Sequence, residues 1–310
     1  MSDLRCPRCH YDLAWVPGQW TSSCPLRGTC TECGLEFEWA LLHSPALAAP
    51  EWFVEHPVRQ PRFGFVRTLA RLVLPWRFWR QVPMDVPLDV KRLFTFVVMI
   101  LVTMHALKVA ERVITHVVWD TFFNSGVPNS WTSVPWWMER EIVLRYAFYP
   151  YDVFMYVDPD ERSVGAIVDV FVRLGFLVIG GMLVVTPMSF LLLSTSLRRA
   201  KVHARHLWRA AAYAVTWVAL WGMIGLGVTL VALVNLRMSY WITDAFYRSI
   251  SVIMVSAAAI WFLFFWAGAC RSFDIDHPKS VAFGMLAIGG LTGLVASVAY
   301  AGLLNGLFFM

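Results

Sequence analysis

LFTFVVMILVTMHAL, residues 93–107, holds no Asp, Glu, Lys or Arg, and it opens an apolar run that reaches residue 118. A helix of ~20 apolar residues crosses the ~30 Å hydrocarbon core of a bilayer, so the run predicts a membrane span. Lys108, Glu111 and Arg112 interrupt its far end, where a lysine can snorkel to the interface. Four more apolar runs follow, at about 172–193, about 210–236, 250–270 and 281–304, each long enough for a crossing of ~20 residues. The whole composition agrees. Of 310 residues, 58% are hydrophobic and 15% charged, against ~45–50% and ~25% in soluble domains. An ordinary soluble enzyme and a disordered chain are both excluded. The expected fold class is mainly α: a polytopic five-helix transmembrane bundle over 93–310, preceded by a small four-cysteine module.

Upstream of the first run the chain divides by composition. Residues 62–80, RFGFVRTLARLVLPWRFWR, place Phe65, Val66, Leu69, Leu72, Val73 and Trp76 at helical spacing, with Arg67 and Arg71 four apart on another face. This predicts a basic amphipathic segment over 62–92 that lies in the lipid interface. Pro75 should end or kink its helix. Residues 43–61 hold Pro45, Pro50, Pro57 and Pro61 and read as a linker, with Trp52, Phe53 and Val54 free to dock. Residues 1–42 form the cysteine-rich module. Residues 1–50 carry three Arg against five acids, whereas 51–92 carry seven Arg and one Lys against four. The basic excess beside the first run fits a membrane surface better than nucleic acid.

Lys and Arg near the span ends give an orientation. One side collects Arg77, Arg80, Lys91, Arg92, Arg198, Arg199, Lys201, Arg205, Arg209, Arg271 and Lys279; the other has Arg140, Arg145, Arg162, Arg237 and Arg248. The expectation is a bacterial inner-membrane protein with a cytosolic N-terminus and an external C-terminus. The external loop 119–163 is unusually aromatic; Ser133 and Pro135 suggest a helix start, and Glu141 can pair with Arg145.

Five of the six cysteines lie in the first 33 residues, with no apolar signal core before them. CPRCHYDL from Cys6 and CPLRGTCTECGL from Cys24 supply two C-x-x-C pairs, Cys6 with Cys9 and Cys30 with Cys33. Each two-residue spacing lets one tight turn aim two thiolates at a shared metal, and Gly34 suits a turn that needs positive φ. A structural Zn2+ held by Cys6, Cys9, Cys30 and Cys33 would replace the core that ~40 residues cannot build alone. Four thiolates leave no open coordination position, so no catalysis is expected there. Cys24 stands as an alternative ligand or a spare thiol, and His10 and His43 as ordinary polar residues. The module is net acidic, which argues against nucleic acid as a partner.

These two knuckles resemble the N-terminal zinc ribbon of a group of uncharacterised bacterial membrane proteins, whose first knuckle reads C-P-x-C-G-Y-D-L and whose second reads C-x-x-C-G. His10 stands here where that first knuckle has Gly. The resemblance covers about 40 residues and implies zinc at the same four cysteines and nothing catalytic. The remainder is similar to the Yip-type five-span membrane domain in span count and in its basic cytosolic loop.

Within the spans, His105, Lys108 and Arg112 share a helical stripe, Glu111 can pair with Lys108, and Asp169 can pair with Arg173. Gly289 with Gly293 and Gly302 with Gly306 form G-x-x-x-G pairs, which serve packing within one chain or a face for a second copy. No phosphate-binding loop, H-E-x-x-H or G-x-S-x-G occurs. The expected function is that of a membrane-anchored zinc-ribbon interaction or scaffold protein. Its partners would be the lipid bilayer and a cytosolic protein that meets Tyr11, Trp15, Trp20 or Trp39. The alternatives are a transporter or channel component using the polar groups of the first span, and a membrane-embedded thiol sensor or enzyme using Cys24.

Overall fold

The computed structural model describes residues 4–21, 23–44, 49–56, 63–82, 86–119, 178–190, 202–234, 240–273, 275 and 277–308. The loop 119–163 beyond Trp119, the Asp169–Arg173 pair, the side chains of Arg112 and Thr115 and the surroundings of Gly302 and Gly306 lie outside what is described. Two short strands, β1 (Arg27–Thr29) and β2 (Glu36–Glu38), pair antiparallel with Gly28 opposite Phe37. The helices are α1 (Trp39–His43), α2 (Gly64–Leu72), α3 (Pro75–Gln81), α4 (Val90–Trp119), α5 (Val178–Phe190), α6 (Ala204–Ala214), α7 (Thr216–Val234), α8 (Tyr240–Ser272) and α9 (Pro278–Phe308). The chain forms two compact units. One contains Met1–Val97, Phe176–Thr216 and Ala257–Met310; the other contains Val98–Gly175 and Trp217–Ser256.

Four segments are long and apolar enough to cross a membrane: Val90–Glu111, Ala204–Val231, Ile253–Ser272 and Pro278–Ala296. The third apolar run thus starts earlier than its hydropathy suggests, because α6 carries Arg205 and Arg209 into its first turns. The five-span expectation is met for four. The second run is described only as α5, a shorter apolar helix. Large apolar side chains lie exposed along these helices, among them Phe94, Leu101 and Val102 on α4 and Phe283, Leu291 and Val295 on α9. Water would not tolerate so continuous an apolar surface, and lipid does. The chain is an integral membrane protein.

In the first unit, α2 and α3 are separated at Pro75, which opens α3 at a position where its missing N–H costs nothing. Of the apolar stripe read from the sequence, Leu72 is buried, Phe65 and Leu69 are half-buried, and Val66, Val73 and Trp76 are exposed beside Arg67, Arg71, Arg77 and Arg80. Outside the stripe, Phe78 and Trp79 are buried and Phe63 is exposed. Trp261 of α8 donates its Nε1–H to the Leu72 carbonyl at 3.0 Å, satisfying one of the orphan carbonyls at the end of α2. Gly268 of α8 lets Trp79 approach, since a Cβ there would lie 2.9 Å from the indole.

Residues 49–56, within the Pro-rich stretch, are packed. Phe53 is fully buried against Phe78 and Tyr213. Glu55 is also fully buried, and its carboxylate is held from three sides. Tyr213 donates its hydroxyl at 2.7 Å, Asp89 its backbone N–H at 3.1 Å, and Arg209 its guanidinium at 3.2 Å. Arg209 further donates to the carbonyls of Val86 and Pro87. A buried ion pair survives desolvation when its remaining lone pairs and protons are also bonded, as most are here. The cluster ties α6 to the segment that leads into α4. Asp89 then caps α4 by accepting from the Arg92 N–H at 3.1 Å.

Helices α5 and α9 meet through glycine. A Cβ at Gly181 would lie 2.5 Å from the Gly289 carbonyl oxygen and 2.8 Å from the Gly293 Cα. The first G-x-x-x-G pair therefore serves packing within one chain, where bare backbones touch and dispersion replaces the hydrophobic effect. In the second unit, Gly222 of α7 sits against Leu107 of α4, and Lys108 and Glu111 form the expected ion pair at 2.7 Å. Both side chains are half-buried, and Gly225 makes room for the Glu111 carboxylate.

Candidate metal centre

Each C-x-x-C pair closes a backbone turn of the same design. In the first, the His10 N–H bonds the Cys6 carbonyl at 2.9 Å and the Cys6 N–H bonds the Tyr11 carbonyl at 2.8 Å. In the second, the Gly34 N–H bonds the Cys30 carbonyl at 2.8 Å and the Cys30 N–H bonds the Leu35 carbonyl at 2.9 Å. The residue after each second cysteine has positive φ, 65° at His10 and 69° at Gly34. Glycine takes that conformation freely; histidine takes it at a cost of ~1–2 kcal/mol. The left-handed turn thus forms at His10 without glycine.

The turns face each other. The Cys6 and Cys33 sulfurs are 3.5 Å apart, those of Cys9 and Cys30 3.7 Å, and all four lie within 4.8 Å of one another. A tetrahedron of thiolates with bonds of ~2.3 Å has edges of ~3.8 Å, so the four atoms already suit one metal ion. The donor set alone gives this fit: four sulfurs converge, and the four residues are free cysteines with no carboxylate or imidazole in the group. Burial pushes the Cys6 thiol far up and the Cys33 thiol up to about 11. At Cys30 burial, the largest single influence, also raises the value, but the backbone hydrogen bonds from Cys33 and Glu32 and those with the Cys6 and Cys33 thiols together outweigh it and hold the thiol below its ordinary range. A dication entering this cluster displaces protons, and the fixed charge then favours every thiolate.

The remaining sequence candidates fall elsewhere. Cys24 is exposed and donates to the Pro25 carbonyl at 3.4 Å, apart from the four-sulfur group. His43 ends α1 and faces the Trp39 ring at 6.4 Å. Trp39, expected as a docking residue, is instead buried in the ribbon core with Leu13 and Phe37. Trp20 and Phe37 meet its ring edge-on at 5.0 Å each, and Gly28 of β1 leaves space for its Nε1, 2.7 Å from where a Cβ would stand. Tyr11 and Trp20 pack partly on the same core. Trp15 and Leu26 remain exposed, Leu26 at 89%.

The two knuckles differ in what covers them. Thr31 and Glu32 of the second are exposed, whereas Pro7 and Arg8 of the first are buried. The cover comes from the start of α6. The Pro7 carbonyl lies 2.7 Å from His206 Nε2 and accepts from Arg205 at 2.9 Å. The His203 N–H donates to the Arg8 carbonyl at 3.1 Å, and the His203 ring packs on that of His10 at 4.8 Å. Sequence reasoning missed these contacts, since they join residues almost 200 positions apart. The one local signal was a histidine where the knuckle asks for glycine.

No family model matches the chain, and neither do any curated protein or solved structure.

Proposed function

We propose that the chain is a membrane-anchored docking protein of the bacterial inner membrane, with a structural zinc ribbon on the cytosolic side and its C-terminus outside. Zinc suits a closed all-sulfur tetrahedron in a reducing compartment. When bound it supplies cross-linking of the two knuckles and no reaction. The observation that carries the reading is the asymmetry of the ribbon. Its first knuckle is fixed to α6, while Trp15, Leu26, Glu36 and Glu38 of the ribbon remain exposed and are the residues we assign to a protein partner. The exposed face of α2 and α3 combines Arg67, Arg71, Arg77 and Arg80 with Phe63, Val66, Val73 and Trp76, which suits anionic lipid headgroups. The Lys108–Glu111 pair, mutually neutralised near the end of a span, supports an anchor over a transport path.

The test compares in-cell cross-linking of the wild type, Cys30→Ser/Cys33→Ser and Leu26→Asp. Both variants should insert normally. The double variant should lose zinc and its cross-linked protein together, and Leu26→Asp should lose the protein while keeping zinc. Unchanged cross-linking in both would sink the docking reading.

A further inference from the structure

Four contacts join the first knuckle to the start of α6, and all of them fall on the backbone or the turn residue that the knuckle itself shapes. Pro7 and Arg8 are the two residues between Cys6 and Cys9, so the directions of their carbonyls follow from how the two thiolates share a metal. His206 and Arg205 both address the Pro7 oxygen, which uses both of its lone pairs. The His203 N–H takes the Arg8 oxygen. His10 holds a costly left-handed conformation and places its ring on His203. His206 is buried, so losing Pro7 would leave its ring nitrogen without that acceptor in a place water reaches poorly. From His206 the same helix runs on to Arg209 and Tyr213, which hold Glu55 and through it the Asp89 N–H ahead of α4.

We infer that metal at Cys6, Cys9, Cys30 and Cys33 and the seating of the first turn of α6 are thermodynamically linked, with His206, Arg205 and His10 as positioning residues of the metal centre. The inference rests on the reading of the four cysteines as a metal site. A metal that orders the knuckle presents both carbonyls to α6; a seated α6 in turn holds the knuckle in its chelating shape. The linkage is reciprocal: whatever factor metal adds to the α6 contact, that contact adds to metal affinity. An independently folded ribbon on a flexible tether would show no such dependence, because its metal would be blind to residues 200 positions away. His10 is costly in the left-handed turn, and its ring is the side chain of the knuckle that meets His203 ahead of α6.

The experiment uses the full-length protein in lipid nanodiscs, with two readouts. Zinc retention is followed against a chromogenic chelator, and hydrogen exchange is followed over residues 202–209. In the wild type, zinc removal should raise exchange across 202–209 and leave the Gly289 region of α9 unchanged. His206→Leu should lower zinc affinity about fivefold, the worth of one buried hydrogen bond, and His206→Gln, which keeps a donor, should restore most of it. His10→Gly relieves the strained turn. A purely local role for His10 therefore predicts equal or tighter zinc, whereas linkage predicts weaker zinc and faster exchange at 202–209. Wild-type zinc affinity in both His206→Leu and His10→Gly, with exchange at 202–209 indifferent to zinc, would overturn the linkage. A wild type that takes up no zinc would overturn the metal reading itself.

Discussion

Glu55→Ala should destabilise the protein by about 3–5 kcal/mol, the cost of breaking a buried ion pair from one side. The substitution leaves the Arg209 guanidinium, almost fully buried, without its counter-charge, and removes the acceptor of the Tyr213 hydroxyl and the Asp89 N–H. Arg209 keeps the Val86 and Pro87 carbonyls, which lessens the loss but does not neutralise the charge. Thermal unfolding of the purified protein in mild detergent should show a large drop for Glu55→Ala. Glu55→Ala/Arg209→Met should recover part of it, because the second change removes the stranded charge. Double-mutant coupling of this kind is the expected signature of directly paired residues. Equal and additive losses would mean that the two side chains act independently.

Gly181→Ala should be nearly as harmful, and Gly180→Ala should be close to neutral. The methyl group added at Gly181 would meet the Gly289 carbonyl oxygen at 2.5 Å and the Gly293 Cα at 2.8 Å, both backbone atoms that cannot rotate away. Separating α5 from α9 is then the only relief, at ~3 kcal/mol or more for overpacking that the core cannot absorb. A methyl at Gly180 meets nothing within 4 Å, so the neighbouring substitution controls for helix propensity and insertion. The same melting assay decides it. Similar stability for the two variants would mean that α5 and α9 do not touch as described.

What the sequence disclosed, and what it did not, follows from the range of the forces involved. Membrane spans are set by the local density of apolar side chains, so Val90–Glu111, Ile253–Ser272 and Pro278–Ala296 stand out within a window of ~20 residues. The four sulfurs were legible because two-residue spacing is itself the geometry of a chelating turn. Pro75 divided α2 from α3 for a reason internal to one residue. The Lys108–Glu111 pair obeys a three-residue helical spacing.

The polar clasp and the ribbon's seat have no such local signature. Arg209 counted as a loop-edge charge toward orientation, yet it pairs with Glu55, 154 positions earlier, in a dry site. Arg205 and His206 gave no sign that they would meet Pro7. Trp39 reads from the sequence as an exposed docking residue, with no local signal to the contrary. Tertiary packing turned it inward, and glycine at position 28 is what admits it. Charge and aromaticity reveal that a side chain has a task; only the fold shows which partner it has.

Zinc content with a free-thiol count on the full-length protein, from cells lysed under thiol-blocking conditions, decides whether the four cysteines form a metal centre. About one zinc per chain is expected, with the thiols of Cys6, Cys9, Cys30 and Cys33 protected until a chelator removes it, and Cys24 modified at once. No zinc, with the four N-terminal cysteines recovered as disulfides, would contradict it, and would place the ribbon in an oxidising compartment instead of the cytosol.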